Sequence, residues 1–440
     1  MTRGVLAALA AVAGSTVLFA QFSGTPPQPS ADQLPAPSVA APKPSRPVAR
    51  PDGMVPRAPA GFTVTGYAEL PAPRMMVYAP NGDLFVSSPA ANNITVLRDA
   101  NEDGVFEQRS VFAQAPPPGP RGQGAGGGRR GAPAVLGAGA PPCAPPPNFL
   151  NRGAGTLDAP FGLAFHDGYL YVGNTGSLVR YRYNAGDLQA AAPPEKLLDF
   201  PTGGHSTRNI VFNRAGTKMY VAVGSGSNND AGEDCRRAAI LEFNPDGTGY
   251  RVYASGIRNP VGLALQPGTD IVWTAVNERD NLGDDLVPDY ATSVRDGGFY
   301  GWPYSYIGRH YDPRYVGAQA DLVNRAIVPD VLIPAHSAAL GITFYTGTRF
   351  PERYRNGGFV ALHGSWNRSV AAGYKVAFFP MVNGRPGPLE DFLTGFLASD
   401  GSDGGAIQQW GRPVGVTVTP GGSLLVSDDA GNRIWKVAAR

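Results

Sequence analysis

Short apolar runs, each about a strand long, alternate with glycine-centred polar turns, and the pairing recurs six times along the chain. The copies read "RMMVYAPNGDLFVSS" from Arg74, "FGLAFHDGYLYVGN" from Phe161 and "RNIVFNRAGTKMYVAVG" from Arg208. They continue as "VGLALQPGTDIVWTAVN" from Val261, "GITFYTGTRFPERYRNGGFVALHG" from Gly341 and "VGVTVTPGGSLLVSDD" from Val414. Runs of about five residues rich in Val, Tyr and Phe, joined by Asn-Gly, Asp-Gly or Gly-Gly, are hairpin signals. Four copies show a third run soon afterwards: "NITVLRD", "SLVRYRY", "AAILEFN" and "NRIWKV". A three- or four-stranded unit repeated every fifty or so residues (about) predicts an all-β fold, a six-bladed β-propeller with its ligand site at one mouth of the central channel. A β-sandwich would not repeat in this way.

The first strand of each propeller unit lines the channel, so the residues just before it stand at one mouth. Those openings are Pro73-Arg74, Pro160-Phe161, Arg208-Asn209, Arg258-Asn259, Ala339-Leu340 and Arg412-Pro413, and four of the six carry arginine. Guanidinium groups gathered at close range repel one another. The pattern therefore implies a small anionic ligand on the axis, and arginine forks suit carboxylates. His205, in "GGHSTRNIVF", stands at the same rim.

Composition adds context. Glycine (58) and proline (43) approach a quarter of the 440 residues, and much of the excess sits in two tracts. Residues 23–60 are proline-rich without periodicity and read as a disordered linker. A second proline- and glycine-rich tract reads as a flexible insertion, 115–155, within the propeller of residues 61–440. Residues 1–22 hold Arg3 and then an uncharged run, the signature of a signal peptide. Leu18 is a poor residue three before a cut at Ala20, which leaves an uncleaved anchor open. The expectation is a periplasmic or secreted protein, held at a membrane only if that segment stays. Cys143 and Cys235 are the only cysteines, and in an exported chain they suggest a disulfide. Lys plus Arg (37) nearly balances Asp plus Glu (35), so nothing points to nucleic acid.

The string "GIRNPVGLALQPGTDIVWTAVNERDNLGDDLVPDYATSVRDGGFYGWPYSYIG", with "GGHSTRNIVF", "GSGSNND", "GSWNR" and "GRPVGVTVTPGG", resembles the sorbosone dehydrogenase and soluble aldose sugar dehydrogenase family, from about Gly61 onward. That family uses pyrroloquinoline quinone (PQQ), a tricarboxylate, on a six-bladed propeller. The resemblance implies that His205 takes the proton from the sugar C1 hydroxyl while hydride passes to the quinone, with electrons leaving to an external cytochrome or quinone. It makes Arg258 and Asn259 cofactor contacts, with Arg258 polarising the quinone oxygen, and Arg412 a carboxylate-binding arginine. Arg74 and Arg208 are assigned to the cofactor by rim position as much as by motif. Where soluble glucose dehydrogenases place a lysine near the fifth blade, this chain reads "GSWNRSVAAGYKV"; Asn367 or Arg368 takes that place, and Lys375 lies too far along. The resemblance also implies Ca²⁺ at the cofactor, held by the backbone carbonyls of Arg279 and Asp280, with Glu278 or Asp284 nearby.

A further loop, "DANEDGVFEQRS", matches a calcium loop at Asp99, Asn101, Asp103 and Gly104 but has Ser110 where a bidentate glutamate belongs. It is a candidate second calcium site or an acidic turn. His166 and His310 read as surface residues, His336 and His363 as loop histidines near the substrate, and Trp302 as a candidate platform for a sugar ring. Two other functions remain open on sequence: a calcium-dependent lactonase or esterase propeller, which would line the rim with carboxylates and asparagines, and a non-catalytic propeller that captures an acidic ligand.

Overall fold

The computed structural model describes residues 26–115, 150 and 152–440. The leader-like residues 1–22, most of the 115–155 insertion and Cys143 lie outside them. Cys235 is disulfide-bonded.

The described chain is nearly all β, with six sheets built from antiparallel meanders of four strands. Their innermost strands are Met76–Tyr78, Gly162–His166, Ile210–Phe212, Asn259–Leu265, Ala339–Phe344 and Pro413–Val418. Each of the six repeats found in the sequence supplies one sheet. The first, third and sixth sheets turn identically after the innermost strand. Gly82, Gly216 and Gly422, at φ +91°, +68° and +85°, donate to Ala79, Asn213 and Thr419. Glycine reaches that left-handed backbone without steric cost. The sixth sheet takes its outer strand from the start of the fold: Phe62–Glu69 pairs antiparallel with Arg433–Ala439.

Period-two alternation decides which neighbour each strand residue faces. Phe85 points into the cluster between the first and second sheets, whereas Leu84 and Val86 pack with Leu425 and Ile434 of the sixth. Both faces are buried, so the strands read as continuous apolar runs. Similar clusters fill the spaces between each later pair of sheets. Met75, Phe161, Val261, Leu340 and Val414, one from each of five sheets, meet in a separate cluster.

Glycines on the innermost strands allow the sheets to approach. A Cβ on Gly162 would lie 2.2 Å from the Arg208 carbonyl oxygen, one on Gly262 2.4 Å from that of Leu340, and one on Gly341 2.5 Å from that of Val414. One on Gly415 would lie 2.3 Å from the Arg74 carbonyl oxygen, which joins the sixth sheet to the first.

The proline-rich segment differs from the disordered linker expected. Ser38 donates its N–H to the Leu282 carbonyl (2.9 Å), Lys43 to Trp366 (2.7 Å), Arg46 to Ile407 (2.8 Å) and Val48 to Gln409 (2.9 Å). Arg46–Pro47 forms a short parallel pairing with Gln408–Gln409. The prolines lack N–H groups, but the residues between them donate outward to the sheets' loops. Polyproline backbone forms no internal hydrogen bonds and leaves those groups available.

Candidate functional site

Loops that precede the innermost strands, and loops that join the second strand of a sheet to its third, gather on one side of the molecule. His205 lies there, half-buried, on the loop leading into the third sheet. Its backbone N–H and its Nδ1 both reach the Ser225 carbonyl, at 3.0 and 2.8 Å, and Nδ1 lies 3.0 Å from Ser225 Oγ. A carbonyl only accepts, so Nδ1 carries the hydrogen and the lone pair sits on Nε2. Burial first, and the Arg258 charge second, push the His205 pKa down to about 3. The imidazole is neutral at physiological pH.

Two buried arginines fix that loop. Arg208 donates to the carbonyls of His205 (2.9 Å), Thr207 (2.7 Å) and Pro201 (2.9 Å), and Arg237 to those of Thr202 and Gly203, both at 2.7 Å. Arg208 is fully buried. The arginine expected at the rim is therefore turned inward, because the loop that places His205 leaves carbonyls that need donors. Nothing in the sequence separated it from the other three.

Asn228, in "GSGSNND", links the third and fourth sheets. Its Oδ1 accepts from Arg258 Nη2 and the Asp280 N–H, both at 2.9 Å, and its carbonyl accepts from Arg258 Nε and Trp302 Nε1, also at 2.9 Å. Arg258 also donates to the Glu278 carbonyl at 2.7 Å and lies 3.6 Å from Asp280. Asn228 was not singled out as a site residue; its signal was its place between two glycine-serine pairs and a turn. Asn259 stands beside His205, with Gly224 between them. A Cβ on Gly224 would lie 2.3 Å from Asn259 Oδ1 and 2.6 Å from His205 Cβ. That Oδ1 is buried and has no hydrogen-bond partner.

On the loops of the first, fifth and sixth sheets, Asp429 joins Arg74 (2.6 Å) to His363 Nε2 (2.9 Å). Arg412 donates to the His363 and Gly364 carbonyls at 3.0 and 2.9 Å. Burial opposes ionisation of Asp429, but His363, Arg74 and Arg412 together hold its carboxyl well below the usual range. Burial pushes His363 down to about 4. Similarly, the His336 hydrogen bond and the Arg258 charge outweigh burial and keep Asp280 below its ordinary value. The arginine rim thus needs no external anion merely to exist. Asp280 and Asp429, on the same loops, supply counter-charge that the sequence pattern did not reveal.

Spare donors remain. Arg74 Nε and Nη1 and Arg412 Nη1 have no protein partner among the described residues. On the fifth sheet's loop, Arg368 binds Asp285 (2.8 Å) and the Asp284 carbonyl, yet its Nε is buried without a partner, as is Asn367 Oδ1. Lys375 turns away from this loop to pair with Asp391. The Arg279 side chain is fully buried against Glu278, Asp312 and the carbonyls of Pro303 and Ser305. The Asp280 carbonyl accepts from Asn228 Nδ2 at 3.1 Å and keeps a second lone pair.

Three other expectations can be placed in the fold. In the Asp99 loop, both Asp99 oxygens accept N–H groups of their own turn, from Asp103 and Gly104, and Glu102 reaches away to Thr419 and Gly421. No cluster of three or more His, Cys, Asp or Glu able to hold a metal occurs among the described residues. The side chains of Asp99, Asn101 and Asp103 shape the turn through these hydrogen bonds. Trp302 is buried, with its indole N–H spent on Asn228, so it offers no face to a sugar; Trp366 is 43% exposed. His166 is half-buried, stacked on Phe212.

A sequence signature described as Glucose / Sorbosone dehydrogenase matches residues 195–365, and one described as TrAA12-like matches residues 317–440. The chain is 30% identical over 299 residues to an uncharacterised protein of Borreliella burgdorferi, covering 64% of this chain and 76% of that protein. To an aldose sugar dehydrogenase of Escherichia coli it is 25% identical over 206 residues, covering 41% of this chain and 52% of that enzyme, about half its length. Among solved structures, the holo form of the pyranose dehydrogenase PQQ domain from Coprinopsis cinerea matches with TM-score 0.68 at 20% identity. The match covers 89% of this chain and 98% of that one, and it bears on the fold.

Proposed function

The chain belongs to the glucose/sorbosone dehydrogenase family, and on that premise we propose that it oxidises an aldose or related aldehyde sugar at C1, using PQQ and Ca²⁺. The six sheets are blades of one closed β-propeller, and the loops around His205 form its functional mouth. The observation that carries the reading is the state of His205: neutral, with Nδ1 satisfied by Ser225 and Nε2 without a hydrogen-bond partner among the described residues. Such a group accepts a hydroxyl proton at Nε2 and needs an oriented substrate to do so.

The residues present suit a tricarboxylate quinone. Spare N–H groups on Arg74, Arg412 and Arg368 are donors, and the unpartnered amide oxygens of Asn259 and Asn367 are acceptors, waiting for a polar ligand. PQQ, when bound, supplies the acceptor for the C1 hydride. Arg258, fixed by Asn228 and Asp280, holds positive charge beside that position, while Arg208 and Arg237 keep the His205 loop rigid. The carbonyls of Arg279 and Asp280 are the calcium ligands of this reading. The leader-like residues 1–22 support export, and no helix among the described residues is long and apolar enough to cross a membrane. The electron acceptor is an external cytochrome or quinone.

The rim does carry Asp280, Asp429, Asn228, Asn259 and Asn367, as a calcium-dependent lactonase would require. Both aspartates, however, are turned to arginine and histidine and do not gather around one point. Calorimetric titration of the cofactor-free protein with PQQ, with and without Ca²⁺, tests the assignment. Binding should weaken on Arg412→Ala by a factor corresponding to about 1.5–3 kcal/mol, the worth of a charged hydrogen bond. Ca²⁺ binding with no PQQ binding would favour the lactonase.

A further inference from the structure

Two consecutive residues of the third sheet's loop, Asn228 and Asn229, hold two consecutive residues of the fourth sheet's loop, Arg279 and Asp280. Asn228 meets Asp280 with its whole side-chain amide. Oδ1 accepts the Asp280 N–H at 2.9 Å, and Nδ2 donates to the Asp280 carbonyl at 3.1 Å. A carboxamide that accepts and donates in this way stands in for a neighbouring strand and fixes the tilt of the peptide groups it meets. Asn229, buried, acts at one remove: its Nδ2 donates to Asp312 Oδ2 at 3.1 Å, and the same oxygen accepts Arg279 Nη1 at 3.0 Å. Arg279 and Asp312 are fully buried, and the Arg279 N–H is taken by Glu278 Oε2 at 3.1 Å. Asn228 also receives Arg258 in a fork, Nη2 on Oδ1 and Nε on the main-chain carbonyl, both at 2.9 Å. One oxygen, Asn228 Oδ1, therefore sets both the Asp280 peptide and the Arg258 guanidinium.

Calcium affinity depends on the charge of the oxygen ligands and on the rigidity with which they are held. Carbonyl ligands bring no net charge, so rigidity has to supply more of the affinity. Resting on the dehydrogenase reading above, we propose that Asn228 and Asn229 are positioning residues for Ca²⁺. They set the direction of the Asp280 and Arg279 carbonyls from the neighbouring sheet, and Asn228 couples that setting to Arg258. A change at Asn228 is then felt at the metal and at the cofactor together, whereas a change at Asn229 is felt at the metal. Asparagine is required at 228. Aspartate has the same shape and keeps Oδ1, but it has no N–H for the Asp280 carbonyl, so two acceptors would face each other and the carbonyl would turn away. By charge alone, an added carboxylate would instead strengthen the hold on a nearby cation. The sign of the change separates direction from charge.

Calorimetric titration of the full chain with Ca²⁺, in the presence of PQQ, reads that sign. Asn228→Asp and Asn228→Ala should weaken Ca²⁺ binding about 10- to 100-fold, the usual cost of removing a group that orients a metal ligand. Asn229→Ala should weaken it less. At saturating Ca²⁺, Asn228→Ala should still weaken PQQ binding, because Arg258 loses an acceptor, whereas Asn229→Ala should not. Trp302→Phe removes a different partner of Asn228, the donor to its carbonyl, and should leave Ca²⁺ affinity unchanged. A loss there equal to that of Asn228→Asp would show a general loosening of the loop and overturn the assignment. Hydrogen exchange of the cofactor-free protein gives an independent reading. The Asp280 amide should be protected in the wild type and in Asn228→Asp, which keeps Oδ1, and should exchange faster in Asn228→Ala; exchange at the rate of a free peptide in the wild type overturns the clamp. Asn228→Asp, equal in shape, carries the test if the alanine variant does not fold. Ca²⁺ held as tightly or more tightly by Asn228→Asp overturns this inference and leaves the dehydrogenase standing. Wild-type protein that binds neither PQQ nor Ca²⁺ overturns the dehydrogenase reading itself, and the role of the two asparagines with it.

Discussion

A histidine whose Nδ1 hydrogen is committed to a backbone carbonyl has one place left to accept a proton. In His205 that place is Nε2, and burial keeps it empty of a proton down to about pH 3. The acid limb of kcat/KM reports the free enzyme's base. Because the folded pKa lies below the ordinary value of 6.5, the active neutral form persists as pH falls. Activity should stay level between pH 7 and 5, and a rate profile breaking near 6.5 would show that the imidazole titrates as an exposed one. His205→Ala should cost roughly 10²- to 10⁴-fold in kcat. Steady-state kinetics at saturating cofactor checks this, and an unchanged kcat would remove the residue from the chemistry. At this scale the sequence was only half legible. His205, Arg258 and Asn259, picked out by their motifs, lie close to one another in the fold. Arg208 could not be told from a rim arginine, because the carbonyls that claim it come from the fold of the loop and not from residue types. Trp302 and Trp366 are both aromatic residues in loops; only burial separates them.

Strand, turn and glycine form the next level. The repeats were readable because in five of the six sheets the turn after the innermost strand holds a glycine at positive φ: Gly82, Gly168, Gly216, Gly268 and Gly422, at +68° to +91°. The glycines within the strands carry a different requirement, the approach of the neighbouring sheet. Gly415→Ala would push a methyl group to 2.3 Å from the Arg74 carbonyl oxygen. Overpacking of this kind costs roughly 1–3 kcal/mol, to be read as a lower urea midpoint; a change under about 0.5 kcal/mol would mean that sheets six and one do not pack this closely. Phe62, on the strand that completes the sixth sheet, packs edge-on against Phe350, Tyr354 and Phe392 with ring centroids 4.7–5.4 Å apart. Phe62→Ala should cost about 3–5 kcal/mol, and a loss near zero would mean that this strand is not part of the cooperative unit. The placement of the proline-rich segment was illegible for a physical reason. Its hydrogen bonds all run to other segments, so it has no periodicity of its own, and proline content alone does not distinguish a free chain from one laid along a surface.

Taken whole, the molecule brings loops from all parts of the chain to one mouth, and the proline-rich segment returns from the N-terminal side to hold two of them. Residues as distant as Ser38 and Gly283, Arg74 and Asp429, and Asn228 and Asp280 meet there. A ligand bound at that mouth therefore ties several sheets together, and binding only to the folded state raises stability by about 2.7 kcal/mol at a hundredfold excess over Kd. PQQ with Ca²⁺ should raise the melting temperature of the cofactor-free protein, and Arg412→Ala should reduce the rise. No shift with either ligand would contradict a site that spans the sheets. The most direct test of the central claim follows the quinone absorbance of the full chain loaded with PQQ and Ca²⁺ as aldoses are added, with His205→Ala measured alongside. The account predicts sugar-dependent reduction of the quinone in the wild type and its near loss in the variant. Bound quinone that no sugar reduces, or equal reduction in both proteins, would contradict it.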